Sequence, residues 1–143
     1  MIDKTNAVTG VIPVFQTPFH LDETIDFGTL EKEIDWLFNE GADGICLAMV
    51  SEVLRLSDSE RHQLTEASCK MAGDRGPVVI SVGAESSKLA EDFAKHAESS
   101  GATALMAIPP VATGATSDEL AGYYRRLFEA VKIPIIVQDA SGY

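Results

Sequence analysis

The sequence predicts an α/β fold built on parallel strands. Two architectures fit, an open doubly wound sheet and a closed (β/α)8 TIM barrel, and the barrel is favoured. Three observations carry this reading. Five short apolar runs rich in β-branched residues recur about every 30 residues, and four amphipathic stretches lie between them, giving β-α-β-α-β-α-β-α-β. No strand is followed by the Gly-x-Gly-x-x-Gly turn of a dinucleotide-binding sheet. The chain also stops at Tyr143, just past the fifth run, with no helix to cover it. An eight-stranded barrel takes roughly 250 residues. Residues 1–143 are therefore expected to form the N-terminal half of a single barrel domain, about four βα units plus strand five.

The strand candidates, in order, are Gly10–Phe15, Gly44–Ala48, Pro77–Val82, Ala104–Ile108 and Pro134–Gln138. Each is nearly continuous in hydrophobicity rather than alternating, as expected of strands covered on both faces. The first helix follows Asp26 as N-cap. Its face is Phe27, Leu30, Ile34, Leu37 and Phe38, with Trp36 placed in the barrel–helix layer and Gly41 closing the end. The second opens on Ser57-Asp58-Ser59-Glu60, a capping box, with a thinner face of Leu64, Ala67 and Met71. The third runs from about Ser87 to Ser100 on Leu89, Phe93 and Ala97. The fourth opens on a second capping box, Thr116-Ser117-Asp118-Glu119, and presents Leu120, Tyr123, Tyr124, Leu127 and Val131. Glu40-Gly41-Ala42-Asp43-Gly44-Ile45 and Ser100-Gly101-Ala102-Thr103-Ala104-Leu105 form a faint internal repeat, each a helix end, tight turn and strand start.

Composition narrows the function classes. Hydrophobic residues are 45% of the chain, which fits a folded core. Eleven basic against 22 acidic residues give a net charge of −11. That field repels phosphate backbones and anionic lipid, so no nucleic acid and no membrane is expected as partner. Cys46 and Cys69 show neither metal spacing nor a disulfide framework, the N-terminus lacks a signal-peptide pattern, and a reduced cytoplasmic setting is expected.

In either α/β architecture, function gathers where strands end. Those ends read Gln16-Thr17-Pro18-Phe19, Met49-Val50-Ser51-Glu52, Gly83-Ala84-Glu85-Ser86, Pro109-Pro110-Val111 and Gln138-Asp139-Ala140-Ser141. Hydroxyl, amide and carboxylate groups are present, without a histidine, a cysteine pair or a carboxylate cluster of metal-ligand spacing, so no metal is expected. Each candidate has a plainer alternative. Thr17 can cap its turn, Glu52 can hold the loop by accepting backbone N–H groups, Gln138 can tie neighbouring loops, and Asp139 can cap the next one. His62 and His96 are expected on solvated helix faces, Tyr123 and Tyr124 in packing, and Met49 and Met106 as core filler.

The same strand ends carry a resemblance. Val11-Ile12-Pro13-Val14-Phe15-Gln16-Thr17-Pro18-Phe19, Gly41-Ala42-Asp43-Gly44-Ile45 with Ser51-Glu52 and Leu56–Arg61, Pro77–Ile80, Gly101–Ala104 with Pro109-Pro110, and Ile133–Ile136 together resemble the dihydrodipicolinate synthase and N-acetylneuraminate lyase superfamily over essentially the whole chain. The resemblance implies a class I lyase in which a lysine on the sixth strand forms an imine with a 2-keto acid. That lysine would lie roughly 25–30 residues past Tyr143, one βα period on. It also implies a homo-oligomer, commonly a tetramer. The family loop Gly-Thr-Thr-Gly-Glu, which holds the keto-acid carboxylate, reads Ala48-Met49-Val50-Ser51-Glu52 here, so both threonines are missing. The backbone N–H groups of Val50 and Ser51, with the Ser51 hydroxyl, are expected to take over. The proton-shuttling tyrosine of strand five is replaced by Gln138, an amide that can only hydrogen-bond.

The run Val137-Gln138-Asp139-Ala140, with Ser51-Glu52, is similar to 2-keto-3-deoxy-sugar-acid dehydratases of the L-2-keto-3-deoxyarabonate type, and on that resemblance Thr17 is expected near the lysine and Gln138 and Asp139 on the substrate's polar groups. Aldolase, dihydrodipicolinate synthase or N-acetylneuraminate lyase activity are the nearest alternatives. More distant ones are a non-catalytic half-barrel that needs a partner chain and an open-sheet binding protein.

Overall fold

The computed structural model describes residues 8–112 and 114–139; the Ala140-Ser141 part of the fifth strand end lies outside them. Its elements are α1 Phe27–Asn39, β1 Ile45–Leu47, a 3-10 turn Met49–Ser51, α2 Asp58–Ala72, β2 Val78–Ser81, α3 Ser87–Ser99, β3 Ala104–Ala107, α4 Ser117–Ala130 and β4 Ile135–Val137. The strands form one parallel sheet in the order β1-β2-β3-β4. Ile45 pairs with Val78, Ile80 with Leu105, and Met106 with Ile136.

The four helices begin and end as their sequences direct. Asp26 Oδ1 accepts from the Thr29 N–H at the start of α1. Ser57 and Glu60, then Thr116 and Glu119, close reciprocal capping boxes on α2 and α4. Ser86 caps α3. Gly41 and Gly101 follow α1 and α3 at φ 97° and 98°, a left-handed conformation that costs a side-chain residue more. Both ends close identically: Gly41 N–H donates to Phe38 O and Ala42 N–H to Leu37 O, as Gly101 and Ala102 do to Glu98 and Ala97. The faint 40–45/100–105 repeat is thus one helix-stop geometry used twice.

The first predicted strand lies where a strand belongs, yet forms no ladder of its own. Val14 bridges Cys46 in parallel, with Phe15 N–H donating to Cys46 O and Cys46 N–H to Pro13 O. The next bond of a parallel ladder would come from the N–H of residue 13, and proline has none.

Alternation along the strands sorts the core into two sides. Ile45, Leu47, Val78, Ile80, Leu105 and Ala107 face the helices and pack with Leu30, Ile34, Leu64, Phe93 and Leu127. Cys46, Ala48, Val79 and Ala104, with Ile12 and Met106, form the inner cluster on the other face.

Three expectations are corrected. Trp36 is 58% exposed and not in the helix–sheet layer, because the buried face of α1 runs through Leu30 and Ile34. The buried face of α2 is rotated from the Leu64-Ala67-Met71 stripe. It comprises Arg61, Leu64, Thr65, Ser68, Cys69 and Ala72, polar groups that hydrophobicity patterning overlooks. His62 and His96 do not stand on separate solvated faces. Their rings lie 4.1 Å apart across the α2–α3 contact, with His96 Nε2 3.3 Å from Glu66 Oε1. Among the described residues, no helix is long and apolar enough to cross a membrane.

Candidate active site at the strand ends

The loop after β1 is fixed by hydroxyls. Ser51, fully buried, donates from Oγ to Phe15 O at 2.5 Å and accepts from the Ala48 N–H at 3.2 Å. Thr17, also buried, donates to Ser51 O at 2.6 Å. Ser51 N–H donates to Ala48 O, closing the 3-10 turn, and Glu52 follows at φ 66° with its N–H on Met49 O. The structure therefore brings Thr17 and Ser51 together. It also commits the two Ser51 donors inside the fold: a 3-10 turn directs that N–H back onto its own first carbonyl. Val50 forms the exposed tip. The Glu52 carboxylate pairs with Arg55 at 2.7 Å rather than with the loop N–H groups expected of it. A cleft of about 710 Å³ opens beside this loop, lined by Gln16, Thr17, Phe19, His20, Glu52 and Arg55 among others.

The ends of β2 and β3 are set by groups reaching in from the helices. Arg61 of α2, 7% exposed, donates to Ser81 O at 3.0 Å and to Gly83 O from both terminal nitrogens at 3.2 Å, and its Cζ lies 3.8 Å from the Phe93 ring centre. Burial lowers the guanidinium to about 10, partly offset by Asp58 and Tyr123. Tyr123 of α4 accepts from the Ala84 N–H and donates to Ile108 O, each at 3.2 Å, so one phenol joins the two strand ends. Burial raises its pKa and keeps it a neutral bridge. Tyr124 Oη donates to Ala107 O. Desolvation, with Tyr123 and Asp139 nearby, pushes it up to about 12. Gly83 is required by close approach, since a Cβ there would stand 2.6 Å from Ile108 Cγ1 and 2.8 Å from its backbone N and O. Glu85 accepts from the N–H groups of Val111 and Ala112, tying the two following loops.

At the end of β4, Gln138 N–H donates to Ala107 O and extends the β3–β4 register. Its side-chain Oε1 is buried without a hydrogen-bond partner among the described residues. Asp139 is exposed, and its charge acts on Tyr124. Ser81, the last residue of β2, carries a second such buried atom, its Oγ. Arg61 and Ser81 went unread in the sequence. The available signal for Ser81 was its position two residues beyond Val79, on the inner face; Arg61 was marked only as the last residue of the Leu56–Arg61 motif, with no role attached to it. Among the described residues no group of three or more His, Cys, Asp or Glu could hold a metal. Cys46 and Cys69 are free and buried, and burial pushes both thiols up to about 11.

Parallel strands in sequential order, helices on one face, and polar groups gathered at the strand C-termini define part of a (β/α)8 barrel with a strand-end site. The chain belongs to the dihydrodipicolinate synthetase family, whose model it matches over residues 7–141. It is 32% identical over 136 residues to a 4-hydroxy-tetrahydrodipicolinate synthase of Azoarcus sp. (strain BH72), covering 94% of this chain and 47% of the relative. It is 32% identical over 136 residues to an L-2-keto-3-deoxyarabonate dehydratase of Azospirillum brasilense, covering 92% and 44%. Among solved structures, it superposes with a TM-score of 0.88 and 25% identity on YagE, a prophage protein of the dihydrodipicolinic acid synthase family from Escherichia coli K12 in complex with pyruvate, covering 90% and 44%. The chain thus spans a little under half the length of these relatives.

Proposed function

We propose that residues 1–143 are the N-terminal half of a single barrel domain in a lyase that forms a Schiff base with a 2-keto acid, and that its substrate is a 2-keto-3-deoxy sugar acid. The reacting lysine lies outside these residues, on the sixth strand. Its amine adds to the keto carbon and water leaves. The protonated imine then draws electrons from the neighbouring carbon, which loses a proton to give an enamine. Expulsion of the hydroxyl one carbon further on is dehydration. In aldol cleavage the protonated imine instead takes the electron pair of the bond between those two carbons, while the hydroxyl on the far carbon gives up its proton and becomes the carbonyl of the released aldehyde.

The observation that carries the sugar-acid reading is the Gln138 Oε1, buried at the end of β4 with no partner among the described residues. A buried amide oxygen without a donor costs about 1–3 kcal/mol. A substrate hydroxyl is such a donor, and an amide cannot replace a tyrosine as a proton shuttle. In this proposal Asp139 addresses the neighbouring hydroxyl. Thr17 and Ser51 shape the loop beside the keto-acid end, and the Val50 tip and its backbone border the carboxylate. The equal identity to a synthase and to a dehydratase supports the broader aldolase–lyase class. A cytoplasmic homo-oligomer needing no cofactor completes the proposal.

The test is intact-mass analysis of the protein after incubation with pyruvate and borohydride, followed by turnover of 2-keto-3-deoxy sugar acids. A reduced pyruvyl adduct, with a dehydrated product and no released pyruvate, is expected. No adduct overturns the Schiff-base reading, and pyruvate release moves the assignment to aldol cleavage.

A further inference from the structure

Among the described residues, Ser81, Gln138 and His62 each carry a buried side-chain atom without a hydrogen-bond partner, and of the three only Ser81 is buried as a whole residue. Ser81 is 3% exposed, and its hydroxyl oxygen has no hydrogen-bond partner among the described residues. By contrast, the buried Thr17, Ser51, Arg61 and Ser68 all spend their polar atoms on backbone carbonyls. The backbone of Ser81 is held hard. Its carbonyl accepts from Arg61, and the next N–H, of Val82, donates to Met106 O at 2.8 Å. The side chain therefore has little freedom to seek another partner.

Register defines what surrounds it. Ser81 pairs with Met106 of β3. One step beyond the Leu47–Ile80 pair, it stands beside Ala48 of the β1 loop. Strand alternation puts its side chain on the same face as Val79, in the inner cluster with Cys46, Ala48, Ala104 and Met106. A hydroxyl set among apolar groups is costly unless something donates to it or accepts from it. The adjoining loop, Ala48-Met49-Val50-Ser51, offers no free hydroxyl toward this face, because the one it has, on Ser51, is spent on Phe15 O.

We propose that the Ser81 hydroxyl is a substrate-contacting hydrogen-bond donor, supplying from the end of β2 the hydroxyl that the β1 loop lacks, and that it binds the carboxylate of the 2-keto acid. This rests on the Schiff-base reading above and adds a specificity-determining residue to it. Arg61 is then a positioning residue, since it holds the Ser81 carbonyl and touches the ligand only through it.

The experiment uses two substitutions, Ser81→Ala and Ser81→Cys, with two readouts: the pyruvate concentration that half-saturates borohydride trapping, and the melting temperature without ligand. Loss of a hydrogen bond to a charged group corresponds to about a tenfold or greater weakening. Both variants are expected to need about tenfold more pyruvate, with Ser81→Ala melting no lower than wild type because an unpaired buried hydroxyl has been removed. An unchanged half-saturation with a lower melting temperature means that the hydroxyl bonds to the protein itself, and overturns the inference while the lyase reading stands. No trapping in the wild type overturns the lyase reading, and the inference with it.

Discussion

Arg61 is a cation placed almost wholly out of water, bonded to carbonyls rather than to a carboxylate among the described residues, and its replacement by Met tests how the strand ends are held. Charge-assisted hydrogen bonds contribute about 1.5–3 kcal/mol each, so the Ser81 and Gly83 carbonyls together account for about 3–6 kcal/mol. The Phe93 ring 3.8 Å from Cζ adds about 1–2 kcal/mol at a desolvated site. Opposing this is the cost of burying the charge. The guanidinium is depressed from 12.5 to about 10, equivalent to about 3 kcal/mol against the charged form. The expected net loss for Arg61→Met is therefore roughly 1–5 kcal/mol. Arg61→Lys is expected to lose about half as much, since one compact ammonium cannot span two carbonyls as a planar fork does. Equilibrium urea unfolding gives the stabilities. Native-state hydrogen exchange at Gly83 and Ala84 shows whether the damage is local. A Met variant within about 0.5 kcal/mol of wild type, or a Lys variant equal to Arg, would refute the two-carbonyl argument.

Two further predictions concern the same layer. Ser51→Ala leaves the Phe15 carbonyl and the Ala48 N–H unpaired at a fully buried position, and is expected to cost about 2 kcal/mol in thermal unfolding; a loss near zero would mean that water replaces the hydroxyl. Tyr124 ionises near 10 in the unfolded chain but at about 12 in the fold, raised by desolvation, then by Tyr123 and Asp139. Its stabilising effect is whole below pH 10 and is lost as pH rises from 10 to 12. Tyr124→Phe should therefore flatten the fall of stability over that window in circular-dichroism melts, and an unchanged slope would count against the buried phenol.

Much of the architecture was legible because it rests on local rules. Capping boxes at Ser57 and Thr116 and glycine stops at 41 and 101 need only a few consecutive residues to be recognised. Runs such as Val78–Ser81 declare a strand buried on both faces. Reading failed where the outcome depends on residues far apart. The first strand's ladder stops on one side at Pro13, which has no N–H, and on the other where the Ser51 hydroxyl stands between the Ala48 N–H and the Phe15 carbonyl. The rotated face of α2 follows from Arg61 finding carbonyls 20 and 22 residues away. Trp36 was misplaced because an aromatic among apolar neighbours reads as core until the helix phase is fixed by Leu30 and Ile34. At the candidate site, Gln138 and the Thr17–Ser51 pair could be located by strand order. The committed state of the Ser51 donors could not, since it depends on a 3-10 turn and on Phe15, 36 residues earlier.

The strict β1-β2-β3-β4 order also bears on how the molecule is made. Each described strand pairs with the one synthesised just before it, so the sheet can be extended without waiting for a distant segment, and only closure of the barrel depends on strands made later. A ribosome adds the roughly 30 residues of one βα unit in about 2–6 s, far longer than a helix or a loop needs to form. The sheet can therefore grow one strand at a time during translation, with its newest edge, now the Ile136–Val137 flank, always the part exposed to chaperones.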